Sequence, residues 1–183
     1  MKILATIAER AAAANLPFLV IGGNAVIAHG YPRLTNDLDL LVCETDRRAW
    51  DEMMTSLGYV PHQIQRAFHM YNPVERGLPP VDLMLVDVGT FGKLATDPKP
   101  CVLDETDVCI PKLSHLLALK LHALRQGPSH RFERDMSDVI TLVEVNHVDL
   151  AVSEYAEILE RYATPAVREE ILRRLAGPES AGA

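Results

Sequence analysis

The sequence has few cysteines and no long apolar run. Its three cysteines, Cys43, Cys101 and Cys109, include no Cys-x-x-Cys pair, so we expect reduced thiols and a cytoplasmic protein. Each apolar run is too short to span a bilayer, and Glu9 and Arg10 interrupt the first one. We therefore expect neither a membrane partner nor a signal peptide.

Basic residues are also scarce relative to acidic ones. Eighteen Lys and Arg against 25 Asp and Glu give a formal net charge of -7. Affinity for nucleic-acid backbone comes mainly from Lys and Arg that neutralise phosphates, so a long nucleic-acid footprint is disfavoured. A length of 183 residues with 48% hydrophobic residues is typical of one globular domain, or of a compact domain with a small appendage.

The first two-thirds of the chain mixes helical and strand patterns. Apolar residues recur at helical spacing in the helices, and short apolar runs bounded by Gly or Pro indicate strands. The predicted elements are, in order, a helix over residues 2–15, a buried strand ending at Gly22-Gly23, a short helix over 24–29, a strand over 37–43, a helix ending at Gly58, one or two strands within 60–72, a strand over 79–88 and a β-hairpin over 100–110.

Beyond Pro111 the pattern is helical throughout. We therefore predict an α/β (α+β) domain over residues 1–111, with a mixed sheet flanked by helices. A helical C-terminal subdomain follows over residues 112–177, with one helix stopped at Gly127-Pro128, and residues 178–183 are expected to be a disordered tail.

Two aspartates at the start of a predicted strand are the first candidate for chemistry. Asp37 and Asp39 are two residues apart, so in a strand both carboxylates project to the same side. Their mutual repulsion is costly unless a cation or water lies with them, and Mg²⁺ prefers such oxygen ligands. On its own, however, the Asp-x-Asp pattern is more typical of a solvated face on an edge strand.

Two further features favour a site. Gly22 and Gly23 lie between a strand and a helix, where a backbone without side chains can approach a phosphate, although a simple tight turn explains them equally well. Asp82 begins another strand that otherwise consists of buried residue types. If this strand lies beside the strand of Asp37 and Asp39, three carboxylates meet at one end of the sheet.

This order of features resembles the nucleotidyltransferase superfamily. The sequence contains Gly-Gly, then a short helix ending in Gly, then Arg-x-Thr-x-Asp-x-Asp-Leu, and later a strand with one Asp. This combination resembles most closely the small bacterial members of the superfamily, namely the antibiotic nucleotidyltransferases and the abortive-infection toxin type. The motif covers residues 18–42 closely and 79–86 loosely. Many members have Ser after the first Gly, whereas this sequence has Gly, as in the antibiotic-modifying branch.

The resemblance implies a role for each matching residue. The three carboxylates of Asp37, Asp39 and Asp82 are expected to be catalytic and to bind two Mg²⁺ ions, with Mn²⁺ as the alternative ion. The nucleoside triphosphate (NTP) is expected to contact residues before the carboxylate pair and one lysine of the helical part, namely Gly22, Gly23, Arg33, Thr35 and Lys120.

Lys120 and two later aspartates form a second group in the helical part. An edge lysine among leucines is the plain structural explanation of Lys120, and contact with NTP phosphates is the alternative. Asp135 and Asp138 are three residues apart, so they share a helix face and could hold Lys120 or Arg125 in position.

The predicted activity is therefore Mg²⁺-dependent transfer of a nucleoside monophosphate (NMP) from an NTP to a hydroxyl acceptor, with release of pyrophosphate. Two alternatives are the toxin of a toxin–antitoxin pair that modifies RNA or protein, and an inactive binding subunit with the same fold. The sequence leaves three classes of acceptor open, namely a small molecule, an RNA end and a protein. It also leaves open whether the chain binds an antitoxin or a second copy of itself.

Overall fold

The computed structural model describes residues 3–126 and 129–177, so the predicted tail and the predicted stop at Gly127-Pro128 lie outside the described residues. Its contacts divide the chain into two compact units. Within the described ranges, the first unit comprises residues 3–28 and 33–112, and the second comprises residues 29–32, 113–126 and 129–177. A search of the described helices finds none that is both long and apolar enough to cross a bilayer.

The first unit contains four helices and seven strands among its described residues. The helices are α1 (Ile3–Ala13), α2 (Gly22–Ala28), α3 (Arg47–Ser56) and α4 (Val88–Leu94). The strands are β1 (Phe18–Val20), β2 (Leu38–Cys43), β3 (Tyr59–Ile64), β4 (Phe68–Pro73), β5 (Val81–Val86), β6 (Lys99–Leu103) and β7 (Thr106–Ile110).

Five of these strands form one mixed sheet, in the order β1-β2-β5-β4-β3, and β6 and β7 form a separate hairpin. Strands β2 and β5 run parallel, whereas every other pair in the sheet is antiparallel. The parallel pairing places the two strands that carry aspartates side by side, with both strands starting at the same edge. The predicted α/β class with a mixed sheet is confirmed.

The two faces of the sheet have different partners. On β5 the residues Val81, Leu83 and Leu85 are buried, while the residues between them are half-buried. Helix α3 covers the buried face, where Trp50 packs edge-on against Phe18 with ring centroids 5.9 Å apart. The alternation on β5 therefore places Asp82 on the face opposite α3, and on β2 the same face also carries the fully buried Leu41.

The second unit is helical. Its helices are α5 (Leu113–Gln126), α6 (Phe132–Val145), α7 (Ser153–Tyr162) and α8 (Pro165–Leu175), with a short 3-10 turn, Ser129–Arg131, before α6. Thr164 caps α8, since its hydroxyl accepts a hydrogen bond from the Val167 N–H and a proline takes the first helical position. The buried apolar core includes Leu117, Leu121, Val139, Leu142 and Ile171. The predicted C-terminal helical segment is thereby confirmed.

Two boundaries near the aspartates and one helix differ from the sequence-based expectation. Helix α2 begins at Gly22, so both glycines lie in its first turn rather than before it. Strand β2 begins at Leu38, which leaves Asp37 just before the strand. Helix α4 was not predicted, because two glycines weaken its helical pattern; Asp87 caps it by accepting from the Thr90 N–H at 2.9 Å.

Candidate active site

Three aspartate carboxylates converge at one end of the sheet. Asp37, Asp39 and Asp82 each offer one oxygen, and the three oxygens lie within 4.8 Å of one another. All three side chains are half-buried. Carboxylates at this separation repel one another strongly, so the arrangement favours a bound cation.

The sheet register explains this convergence. Asp39 lies directly opposite Asp82 across the parallel pair β2–β5, so both side chains project from the same face. Asp37 precedes β2, and the Leu38 N–H donates to the Pro80 carbonyl at 3.0 Å, which joins the starts of the two strands. The predicted proximity of these aspartates is therefore seen in the structure.

Gly22 lies directly against Asp39. It has a φ of +60°, and a Cβ atom placed there would be 1.8 Å from Asp39 Oδ2. The Ile21 N–H also donates to the Asp39 carbonyl at 2.9 Å. Only a residue without a side chain can hold the start of α2 this close to the carboxylate.

Gly23 is in similarly close contact with the loop that precedes β2. A Cβ atom at this position would lie 2.4 Å from Thr35 Oγ1 and 3.1 Å from Arg33 Nη2. Arg33 also donates through Nη1 to the Leu34 carbonyl at 2.9 Å. The guanidinium and the first turn of α2 are thus neighbours, so a cationic group lies beside the start of this helix.

Asp37 is held by side chains on both sides. Its Oδ1 accepts from Thr35 Oγ1 and from the Asn36 N–H, each at 3.2 Å, and Asn24 Nδ2 donates to its carbonyl at 3.1 Å. Thr35, predicted to touch nucleotide, orients a carboxylate in this structure. Asn24 was missed, although its position directly after the glycine pair was a usable signal.

Seven of the predicted site residues therefore lie together in the first unit; they are Gly22, Gly23, Arg33, Thr35, Asp37, Asp39 and Asp82. Lys120, the eighth, belongs to the second unit. There its ammonium lies 2.8 Å from Asp135 Oδ1 and 2.7 Å from Asp138 Oδ2, and all three side chains are buried. The two aspartates thus hold Lys120, as the spacing of the residues suggested.

A second polar cluster lies on the opposite face of the sheet and was not predicted. Asp51 in α3 accepts a hydrogen bond from the Tyr71 hydroxyl, and His69 Nδ1 lies 2.7 Å from the same oxygen, Oδ1. Burial and the adjacent Asp51 carboxylate raise the pKa of Tyr71 well above its usual range. This cluster joins α3 to β4, the strand next to β5, on the face of the sheet opposite Asp82.

Comparisons with known proteins identify the fold. No protein-family model and no curated protein matches the sequence. The solution structure of the antibiotic-resistance factor ANT(2'')-Ia matches with a TM-score of 0.60 at 16% identity, over 94% of this chain and 91% of that chain. An antigenic nucleotidyltransferase-like protein from Paracoccidioides brasiliensis matches with a TM-score of 0.57 at 17% identity, over 95% and 90% of the two chains.

A third solved structure, the lincosamide antibiotic adenylyltransferase LnuA with lincomycin bound, matches with a TM-score of 0.54 at 11% identity, over 78% of this chain and 95% of that chain. The chain therefore has the nucleotidyltransferase fold, and the predicted resemblance is confirmed at this level. At these identities the likeness establishes the fold, whereas the activity has to be argued from the residues.

Proposed function

We propose that the chain is a metal-dependent nucleotidyltransferase that moves an NMP group from an NTP to a hydroxyl of a small molecule. The observation that carries the proposal is the convergence of Asp37, Asp39 and Asp82 within 4.8 Å, beside the glycine turn. The structural neighbours support the reaction class. One of them is a lincosamide antibiotic adenylyltransferase with lincomycin bound, and another is ANT(2'')-Ia in complex with adenylyl-2''-tobramycin, which favours a small-molecule acceptor.

The donor set fits a hard divalent cation, and the proposed reaction uses two of them. Carboxylate oxygens are the ligands that Mg²⁺ and Mn²⁺ prefer, and their half-buried position leaves room for substrate oxygens. We assign both ions to these carboxylates, with all three aspartates around one ion and Asp37 and Asp39 also holding the nucleotide ion. When bound, the ions supply charge neutralisation at the phosphates and activation of the acceptor hydroxyl.

The residues of the chain then act on the nucleotide and on one proton. The first turn of α2 is assigned to the triphosphate, since glycine at positions 22 and 23 lets its backbone lie directly beside the carboxylates to which the ions are assigned. Arg33 is assigned to phosphate oxygens, and Thr35 keeps Asp37 oriented. The phosphate contact predicted for Lys120 stays a prediction. Asp82 accepts the proton of the acceptor hydroxyl, whose oxygen bonds to the α-phosphorus while the bond to pyrophosphate breaks.

The test is a transfer assay with each of the four NTPs, labelled at the α-phosphate, and a panel of small alcohols. Asp82→Asn should lower the transfer rate by about 10²–10⁴-fold, because the proton acceptor and one metal ligand are lost. Asp107→Asn is the matched control, since Asp107 is an exposed aspartate of β7 outside the site, and it should leave the rate unchanged.

The proposal fails if no NTP is transferred and no NTP with Mg²⁺ raises the melting temperature of the wild-type chain. Growth arrest on expression, relieved by the product of a neighbouring gene, together with labelling of RNA or protein instead of small alcohols, would favour the toxin alternative. NTP binding without any transfer would favour the inactive binding subunit.

A further inference from the structure

The carboxylate face of the sheet continues from Asp82 onto an apolar surface. In the antiparallel pair β4–β5, Met70 lies directly opposite Asp82, and Phe68 lies directly opposite Met84. Side chains of directly opposite residues project to the same side of a sheet and have Cβ atoms about 4.5–5.5 Å apart. Phe68, Met70 and Met84 therefore share the face of Asp82, and Met70 is its immediate neighbour.

We name this surface the apolar platform and define it as Phe68, Met70 and Met84, with Gln63 at its outer edge. Gln63 lies opposite Met70 in the pair β3–β4 and is exposed. Phe68 is 43% exposed, and the two methionines are half-buried. An aromatic ring and two thioethers are thus partly exposed beside a charged site, on the face opposite the one that α3 covers.

The chemistry of the platform indicates what it holds. An aromatic ring offers a flat contact surface, and methionine sulfur makes favourable contacts with aromatic rings, so the platform suits another ring. Strands β4 and β5, with the sequences FHMYNP and VDLMLV, contain no Lys or Arg. These two strands therefore supply no cation for the phosphates of an RNA end.

We propose that the apolar platform binds the acceptor through an aromatic ring, so that the acceptor is a small aromatic alcohol. A ring that rests on Phe68, Met70 and Met84 carries its hydroxyl toward Asp82, the residue assigned to accept the hydroxyl proton. Gln63 supplies an amide for a second polar group of the acceptor. This inference rests on the proposed function, because a bound ring identifies an acceptor only if the chain transfers NMP. Its test measures binding and does not use catalysis.

The experiment measures binding of 2-phenylethanol by NMR of the full chain labelled with ¹³C at the methionine methyl groups. The six methionine signals are assigned by Met→Leu variants. We expect saturable shifts at Met70 and Met84 but not at Met53 and Met54, which are buried in α3 on the other face. Ethanol, which lacks the ring, should cause no saturable shift.

Two matched variants separate the platform from general exposure of apolar groups. Phe68→Ala should weaken binding of 2-phenylethanol by about three- to tenfold, as expected for one lost aromatic contact. Ile64→Ala is the control: Ile64 is 53% exposed on the same hairpin, but it lies opposite His69 and therefore on the other face. This variant should bind 2-phenylethanol as the wild type does.

Several results would overturn the proposal. These are no saturable shift at Met70 and Met84, equal shifts with ethanol, or unchanged affinity in Phe68→Ala. If raising the protein concentration alone shifts both signals, a second copy covers the platform and the proposal is wrong. Because the assay contains neither metal nor NTP, a failed ring-binding test leaves the Asp82→Asn transfer test intact, and the reverse also holds.

Discussion

At the scale of single residues, the glycine pair is explained by close packing. Gly22 and Gly23 occupy positions where Cβ atoms would overlap Asp39 and Thr35. Their small size thus lets α2 approach the carboxylates, and any contact with phosphate builds on that approach. A glycine at the start of a helix is often interpreted as a flexible turn. Here glycine is required because a neighbouring side chain occupies the space of a Cβ atom.

This packing makes a sharp prediction for Gly22→Ala. The variant should lose about 2 kcal/mol or more of unfolding free energy, because alanine is strained at positive φ and its methyl group overlaps Asp39. It should also bind Mn²⁺ more weakly, since Asp39 has to move. Urea denaturation and titration with Mn²⁺ followed by electron paramagnetic resonance measure the two effects.

The control for this variant is Gly92→Ala. Gly92 lies in α4 with open space around its Cβ position, so alanine should raise the unfolding free energy by about 0.5–1 kcal/mol. Equal stability and equal Mn²⁺ affinity of Gly22→Ala and the wild type would show that Asp39 does not restrict this position.

Tyr71 gives a prediction about alkaline pH. Burial and the hydrogen bond to Asp51 raise the pKa of Tyr71 above the ordinary tyrosine value of about 10. The folded state therefore keeps a proton that the unfolded state loses, and stability falls as the pH rises above about 10. In urea denaturation between pH 8 and 11.5, Tyr71→Phe should show a smaller loss of stability than the wild type; parallel pH curves would contradict the assignment.

At the scale of elements, α5 and α6 are joined by a buried ion pair. Lys120 contacts both Asp135 and Asp138, and the three side chains are at most 7% exposed. Lys120→Met leaves two buried carboxylates without their cation, so it should cost about 3–5 kcal/mol of unfolding free energy. Chemical denaturation checks this value.

The matched control on the same helix is Arg125→Met, at an exposed position, which should change stability by less than about 0.5 kcal/mol. If Lys120→Met is as stable as this control, the ion pair does not hold the two helices. The comparison also guides the test of phosphate binding, because loss of activity in Lys120→Met is informative only at a temperature where the variant remains folded.

At the scale of the whole molecule, an acidic chain places three of its carboxylates at one point. The net charge is -7, and Asp37, Asp39 and Asp82 add repulsion within a few ångströms. Mg²⁺ should therefore raise the melting temperature beyond the effect of KCl at equal ionic strength. At a Mg²⁺ concentration of about one hundred times Kd, the gain in unfolding free energy is about 2.7 kcal/mol.

Without metal, Asp82→Asn should be more stable than the wild type. Removal of one of three like charges relieves repulsion, so the variant should melt above the wild type in the presence of a chelator. With Mg²⁺ it should gain less than the wild type gains, because one ligand is lost. A wild type that melts at the same temperature in Mg²⁺ and in KCl would contradict a metal site at these carboxylates; differential scanning calorimetry makes both comparisons.

The sequence predicted local structure well where the pattern is strong. The β-hairpin at β6–β7, the strand of Asp82 and the helices of the second unit follow from apolar spacing and Gly or Pro boundaries. Helix α4 could not be predicted in this way, because its two glycines weaken the pattern and a single Asp87 cap stabilises its start. The start of β2 was wrong by one residue, since pairing rather than composition decides where a strand begins.

By itself, the sequence determined which residue types are present at the candidate site: two aspartates spaced two apart, a glycine pair and a third aspartate. Only the tertiary structure decided that they meet, because the parallel register of β2 and β5 sets Asp39 against Asp82. It also decided the roles of Asn24, Thr35 and the Asp51 cluster, because side-chain hydrogen bonds follow the folded backbone and leave no periodic trace in a sequence. Residue chemistry is local information, whereas proximity depends on how the whole chain packs.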